Sequence, residues 1–230
     1  LLPSDNENDS SISNGLGPNW KLGNISYVTP NILFNDTLET TYSGINITLI
    51  SAPGPSPEQI FVWIPEKSVL LSSDLVYESF PNLYSLSGLE DVDIQSWIDA
   101  IDRMRELNST FLIPSHLFPA RGSENVSDIL ISYRDAISYL VQQTIRYINQ
   151  GYNVDEITEI LELPSYLKDH SWLQERTGQL SWIVRQIYSY IVGWNSGDAT
   201  WFNPITLQER GSKIVSGFGG LNATLGEIER

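Results

Sequence analysis

Residues 51–66 read S-A-P-G-P-S-P-E-Q-I-F-V-W-I-P-E, and 70–74 continue with L-L-S-S-D. Beyond them lie S-F-P-N-L-Y-S-L-S-G at 79–88 and F-L-I-P-S-H at 111–116. Glu58, Asp74 and His116 each stand at the end of a predicted strand. A rigid sheet whose apolar strands end in oxygen or nitrogen donors presents metal ligands on its loops. Taken singly, Glu58 fits an exposed loop acid, Asp74 a turn former and His116 a loop histidine. Their shared placement at strand ends makes them joint candidates, although no short two-ligand motif accompanies them.

Working outward, Ala52–Pro57 holds three prolines and a glycine, so neither a helix nor a ladder continues through it. Gln59–Ile64 and Ser68–Ser72 are near-continuous apolar runs, predicted as buried strands joined by a turn at Pro65-Glu66-Lys67. Upstream, Asp36–Tyr42 and Ile45–Ile50 alternate, with a hairpin turn at Ser43-Gly44. Ile45, Ile47 and Leu49 face one way and Asn46 and Thr48 the other, as in a sheet with one solvated face. Lys21–Asn35 is expected to carry a loop and a short strand, and the Ser/Asn/Asp/Gly stretch Ser4–Asn19 a flexible arm.

Downstream, Asp93–Leu107 has helical spacing, with Trp97, Ile101 and Met104 on one face and Asp93 as N-cap. Phe111–Ile113 is a short strand, and Pro114-Ser115-His116 turns out of it. Strand, strand, helix, strand is an α/β layer order. After Gly122 the pattern becomes helical. Ser127–Gln150 carries Leu130, Tyr133, Ile137, Leu140, Val141, Ile145 and Ile148 at helical spacing and stops at Gly151. Val154–Leu161 and the aromatic-rich Leu180–Trp194 are further helices, the latter read as core or subunit interface rather than a cofactor box. The division read from this is an arm over 1–19, an α/β region over 20–122 and an all-α region over 123–230.

Composition bounds the function. A net charge of −15 argues against nucleic acid and anionic membrane, because phosphate binding needs a basic patch. No run approaches the roughly 18 apolar residues of a membrane span. Without cysteine there are no disulfides, thiolate zinc sites or cysteine nucleophiles. Asn-X-Ser/Thr occurs at Asn8, Asn24, Asn35, Asn46, Asn108, Asn125 and Asn222. That exceeds the roughly three expected by chance and points to a secreted glycoprotein. The start at Leu1-Leu2-Pro3, without Met, reads as a processed or internal piece.

The run 57–88, P-E-Q-I-F-V-W-I-P-E-K-S-V-L-L-S-S-D-L-V-Y-E-S-F-P-N-L-Y-S-L-S-G, resembles the alkylsulfatase branch of the metallo-β-lactamase superfamily. W-I-D-A-I-D-R-M, I-P-S-H-L-F-P, S-Y-R-D-A-I-S-Y-L-V-Q-Q-T-I-R-Y-I-N-Q-G, E-I-L-E-L-P and Y-S-Y-I-V-G-W extend the likeness over roughly Gly15–Phe218. The resemblance implies the C-terminal half of an αββα sandwich followed by a helical dimerisation segment. It also implies two zinc ions and a zinc-activated hydroxide that cleaves a sulfate ester. On it, Glu58, Asp74 and His116 are metal ligands, Asp74 bridging both ions, and Asn82 lies near the sulfate.

The departures are specific. The family's H-x-H-x-D-H motif lies upstream of this match and is not among these residues. A second polypeptide carrying it is therefore expected to complete the site, since catalytic zinc usually takes three protein ligands. Ser87 stands where N-L-Y-x-x-R-G has an arginine for the sulfate, which removes a charge-assisted contact. Trp182 sits where some members carry histidine, and the family's sterol-carrier-like domain is not among these residues. These departures keep alternatives open: a secreted, glycosylated scaffold that retains the fold without activity, or a sugar- or lipid-binding module built on the Trp/Tyr-rich helices.

Overall fold

Two alternating runs form the first pair of strands in the sheet. β1 (Thr37–Tyr42) and β2 (Ile45–Ser51) pair antiparallel across a tight turn in which Ser43 and Gly44 both have positive φ, 50° and 81°. That is the handedness a two-residue hairpin requires. The computed structural model describes residues 26–83, 92–193, 195, 202 and 204–228. The arm expected before residue 20 lies outside the described residues. Of Lys21–Asn35, expected to carry a loop and a short strand, residues 26–35 are described and hold no strand. Its large apolar side chains Tyr27, Val28, Ile32 and Leu33 are exposed.

β3 (Ile60–Ile64) and β4 (Val69–Ser73) follow, joined by a single 3-10 turn at Pro65–Lys67. The chain then crosses through α1 (Ile94–Glu106) to β5 (Phe111–Pro114), which lies parallel to β4, and turns back into β6 (Ala120–Arg121). The sheet order is β1-β2-β3-β4-β5-β6. Asp93 caps α1 by accepting from the Ser96 amide at 3.0 Å, and Trp97, Ile101 and Met104 are all buried.

The two faces of the sheet differ. On one, Phe61, Leu70 and Leu112 are fully buried beneath the helices. On the other, the register aligns Leu38, Leu49, Val62, Leu71 and Ile113 in one row across five strands. The first four are half-buried and Ile113 is 40% exposed. The apolar runs of β3 and β4 are thus buried on one face only, where a strand covered on both sides was expected. A two-sided apolar strand needs a layer on each face, and the described residues cover only one of the two.

α2 (Ser123–Asn149) starts a turn earlier than its periodicity indicated and buries Leu130, Tyr133, Ile137 and Leu140. Val141 and Ile148 are half-buried and Ile145 faces solvent, because the helix outruns the core near its end. α3 (Val154–Ile160) has a reciprocal capping box between Asn153 and Glu156. α4 (Ser165–Lys168) and α5 (Leu180–Val192) follow, and α5 buries Ile183, Val184, Ile187 and Tyr188. Trp194, placed in that helix by sequence, lies outside the described residues. One hydrophobic cluster runs from Phe61 and Leu112 through Trp97 and Met104 to Tyr133, Ile157 and Ile183. α6 (Leu207–Gly217) and α7 (Leu221–Ile228) bury no residue. Among the described residues no helix is long and apolar enough to cross a membrane.

Candidate metal centre

Adjacent parallel strands bring two of the candidates together. β4 and β5 run side by side with Ser73 opposite Pro114, so their C-terminal ends deliver Asp74 and Ser115-His116 to one place. The Ser115 amide donates to the Ser73 carbonyl at 3.3 Å, and the Ser115 hydroxyl donates to Asp74 Oδ1. His116 Nε2 lies 3.2 Å from the same Asp74 oxygen. Both side chains remain open, His116 30% and Asp74 46% exposed. Left-handed residues flank the pair: Ser73 at φ 55° precedes Asp74, and Leu117 at φ 65° follows His116. Non-glycine residues held there store strain that clusters at ligand sites.

Glu58 occupies an exposed turn before β3. Its neighbour Gln59 donates a side-chain hydrogen bond to the Ser73 hydroxyl, so the turn abuts the strand end that leads to Asp74. Glu58 does not join Asp74 and His116 in a cluster, because among the described residues no three His, Asp or Glu side chains converge as a metal group. Asn82 is exposed between buried Pro81 and Leu83, further along the loop that Asp74 opens. Ser87 lies outside the described residues.

That loop, residues 74–83, is fixed from several sides. Trp97 Nε1 on α1 donates to the Leu75 carbonyl at 2.9 Å, and the Ser72 hydroxyl donates to the Val76 carbonyl at 2.8 Å. The Tyr77 ring stands edge-on to His116, centroids 6.0 Å apart. Burial raises the Tyr77 phenol above its ordinary value, a hydrogen bond with Thr177 opposes this, and the Asp74 charge adds to it. Tyr133 of α2 is fully buried, and burial first, then Tyr77 and Asp74, push its phenol well upward. A contact of its hydroxyl with the Tyr77 backbone opposes this. Sequence reasoning missed Tyr77, Ser115 and Gln59. Ser115 was legible as the residue between Pro114 and His116; Tyr77 carried only its spacing of three from Asp74.

Asp74 Oδ1 and His116 Nε2 are the oxygen and imidazole donors that zinc takes. Two facing donors fit part of such a centre and fall short of the three protein ligands that a catalytic zinc usually has.

Residues 19–116 match the family described as metallo-beta-lactamase superfamily, and 153–230 match alkyl sulfatase dimerisation. A linear primary-alkylsulfatase from a Pseudomonas strain is 31% identical over 95% of this chain and 42% of its own length. The chain is homologous to the alkylsulfatases of the metallo-β-lactamase superfamily. An alkyl/aryl-sulfatase of Saccharomyces cerevisiae is 29% identical, over 92% of the chain and 33% of the yeast protein. Among solved structures, the stereoselective inverting sec-alkylsulfatase Pisa1 from Pseudomonas sp. superposes with a TM-score of 0.79 at 25% identity, over 88% of this chain and 33% of Pisa1. The chain therefore spans roughly a third to two fifths of the alkylsulfatases it matches. The α/β region followed by helices agrees with the fold read from sequence, and superfamily homologues are metal-dependent.

Proposed function

We propose that this chain carries the C-terminal half of a metal-dependent sulfate-ester hydrolase site. Asp74 and His116 are ligands, Glu58 is drawn in when the centre fills, and Asn82 faces the sulfate. The remaining ligands come from an H-x-H-x-D-H segment outside these 230 residues, in the same precursor or on a second polypeptide.

The observation that carries this reading is the uncovered row Leu38, Leu49, Val62, Leu71 and Ile113. A second sheet laid on it would remove the remaining apolar surface from water, on the order of 1 kcal/mol per side chain. The row runs to the end of β4 and β5, beside Asp74 and His116, so a covering sheet would bring its own ligands to that edge. The five described sequons, at Asn35, Asn46, Asn108, Asn125 and Asn222, are all exposed, and Asn46 points to the opposite face of the sheet. Glycans would leave the row free.

Zinc, when bound, supplies the acidity that turns water into a nucleophile at neutral pH. This chain's residues orient the centre. Ser115 and His116 converge on one Asp74 oxygen, and Tyr77 limits where the imidazole can swing. The region matching alkylsulfatase dimerisation assembles the protein through α6 and α7, whose Leu207, Ile214, Phe218, Leu221 and Ile228 are all exposed.

Ser87, in place of the sulfate-binding arginine, favours a second reading: a secreted, glycosylated scaffold that keeps the fold. Turnover of a medium-chain alkyl sulfate by the intact protein separates the two. The hydrolase reading expects sulfate release that falls at least a hundredfold with Asp74→Ala or His116→Ala, the scale on which supporting a metal matters. A folded, metal-loaded protein that releases none overturns it in favour of the scaffold.

A further inference from the structure

Residues 174–178, in the region matching alkylsulfatase dimerisation, lie as a strap across the loop between Asp74 and Asn82. The Phe80 amide donates to the Gln174 carbonyl at 2.9 Å. The Thr177 amide donates to the Ser79 hydroxyl at 3.1 Å, and the two hydroxyls are 2.9 Å apart. Arg176 Nη1 pairs with Glu78 Oε1 at 3.3 Å. The Thr177 side chain also shares a hydrogen bond with Tyr77, the ring that stands against His116. Gly178 closes the contact: a Cβ there would lie 2.6 Å from both the Phe80 and Pro81 carbonyl oxygens, so only glycine lets the two backbones meet. Four consecutive loop residues, Tyr77 to Phe80, are thus held by a segment that follows them by almost a hundred residues.

We propose that Thr177 is a positioning residue for the metal-ligand loop: its hydroxyl grips Ser79 and Tyr77 together, so the dimerisation region sets how Asp74, His116 and Asn82 face one another. Gly178 permits the close approach and the Gln174 carbonyl pins Phe80. Arg176–Glu78 is half-exposed on the arginine side and contributes little by comparison. This rests on the hydrolase reading for its consequence but not for its geometry, since the strap holds the loop whether or not metal is bound. The chemistry needs such a strap because the ligand loop leaves the sheet, and residues on a loop keep their places only where packing and hydrogen bonds lock them.

Thr177→Val removes the hydroxyl at nearly constant volume, and Thr177→Ser retains it. Both are made in the full chain. Hydrogen exchange of the peptides covering 74–83 is followed beside kcat, KM and dimer content. With Thr177→Val, exchange in 74–83 should rise about tenfold while α1 and α2 keep their protection, the scale of one lost hydrogen bond. kcat should fall more than KM changes, and Thr177→Ser should restore both. Unchanged exchange in 74–83, a uniform rise through the whole core, or a serine variant no better than valine would each overturn the proposal. The failure of the hydrolase reading is told apart by the unsubstituted protein: absence of turnover there rejects that reading, and the exchange data still decide the strap.

Discussion

At the residue scale, the Asp93 cap is the clearest local device. Hydrogen bonds from the Ser96 amide and hydroxyl hold its carboxyl below the ordinary range, and burial opposes them weakly. Asp93→Ala should cost about 1 kcal/mol at neutral pH, whereas Asp93→Asn, itself a good cap, should cost a few tenths. Because the folded pKa is lowered, the contribution of the charge is fully present above about pH 4 and is lost as pH falls through the folded value. Chemical denaturation of the parent and of both variants from pH 7 into acid checks this: the parent's margin over each variant should shrink toward low pH, while the asparagine–alanine difference stays constant. Asp93 was legible because a capping residue, an apolar stripe and a helix stop are written within one stretch. Asp74 and His116 were legible for a similar reason, since each ends a strand and the two strands are neighbours. The place of Glu58 was not legible, because an exposed turn between proline-rich and apolar segments leaves its side-chain direction to whatever covers it.

At the element scale, the loop 74–83 behaves as a rigid part, not a free connection. Its first carbonyl after Asp74 is held by Trp97 of α1, and Gly54 of the preceding loop packs on both Leu75 and Trp97. Trp97→Phe keeps most of the packing and removes the N–H. It should lower stability by about 1–3 kcal/mol, because the Leu75 carbonyl is left without its buried donor. It should also loosen the neighbouring Asp74. Thermal unfolding and proteolysis within 74–83 measure the two effects; a variant as stable and as protease-resistant as the parent would contradict this. The helices and strands themselves could be read from alternation and helical stripes, with boundaries shifted by a few residues. The strap could not, because Ser79 and Thr177 are separated by 98 residues and neither lies in a periodic element.

At the scale of the whole molecule, two apolar surfaces are uncovered among the described residues. One is the sheet row from Leu38 to Ile113, and the other is the outer face of α6 and α7. The sequence hid the first, because β3 and β4 are apolar on both faces and nothing in a single strand says which face is covered. It did not mark the second: the subunit-interface reading fell on Leu180–Trp194, and α5 there buries Ile183, Val184, Ile187 and Tyr188. Ile214 of α6 and Phe218, its C-cap, lie one turn apart, 46% and 54% exposed. Replacing both by Glu should turn a dimer into monomers in size-exclusion chromatography with light scattering and leave the fold intact by circular dichroism. Buried charges at such an interface are depleted because their desolvation is not repaid. Retention of the dimer would move the interface elsewhere.

In the proposed function, Asp74 and His116 form part of a metal centre completed across the uncovered sheet face. Zinc analysis of the intact full-length protein, beside its Asp74→Ala variant, tests it most directly. Stoichiometric zinc in the parent and its loss from a folded variant is the result this account expects. A folded, fully assembled parent without metal, or a variant that keeps all of it, would contradict the account.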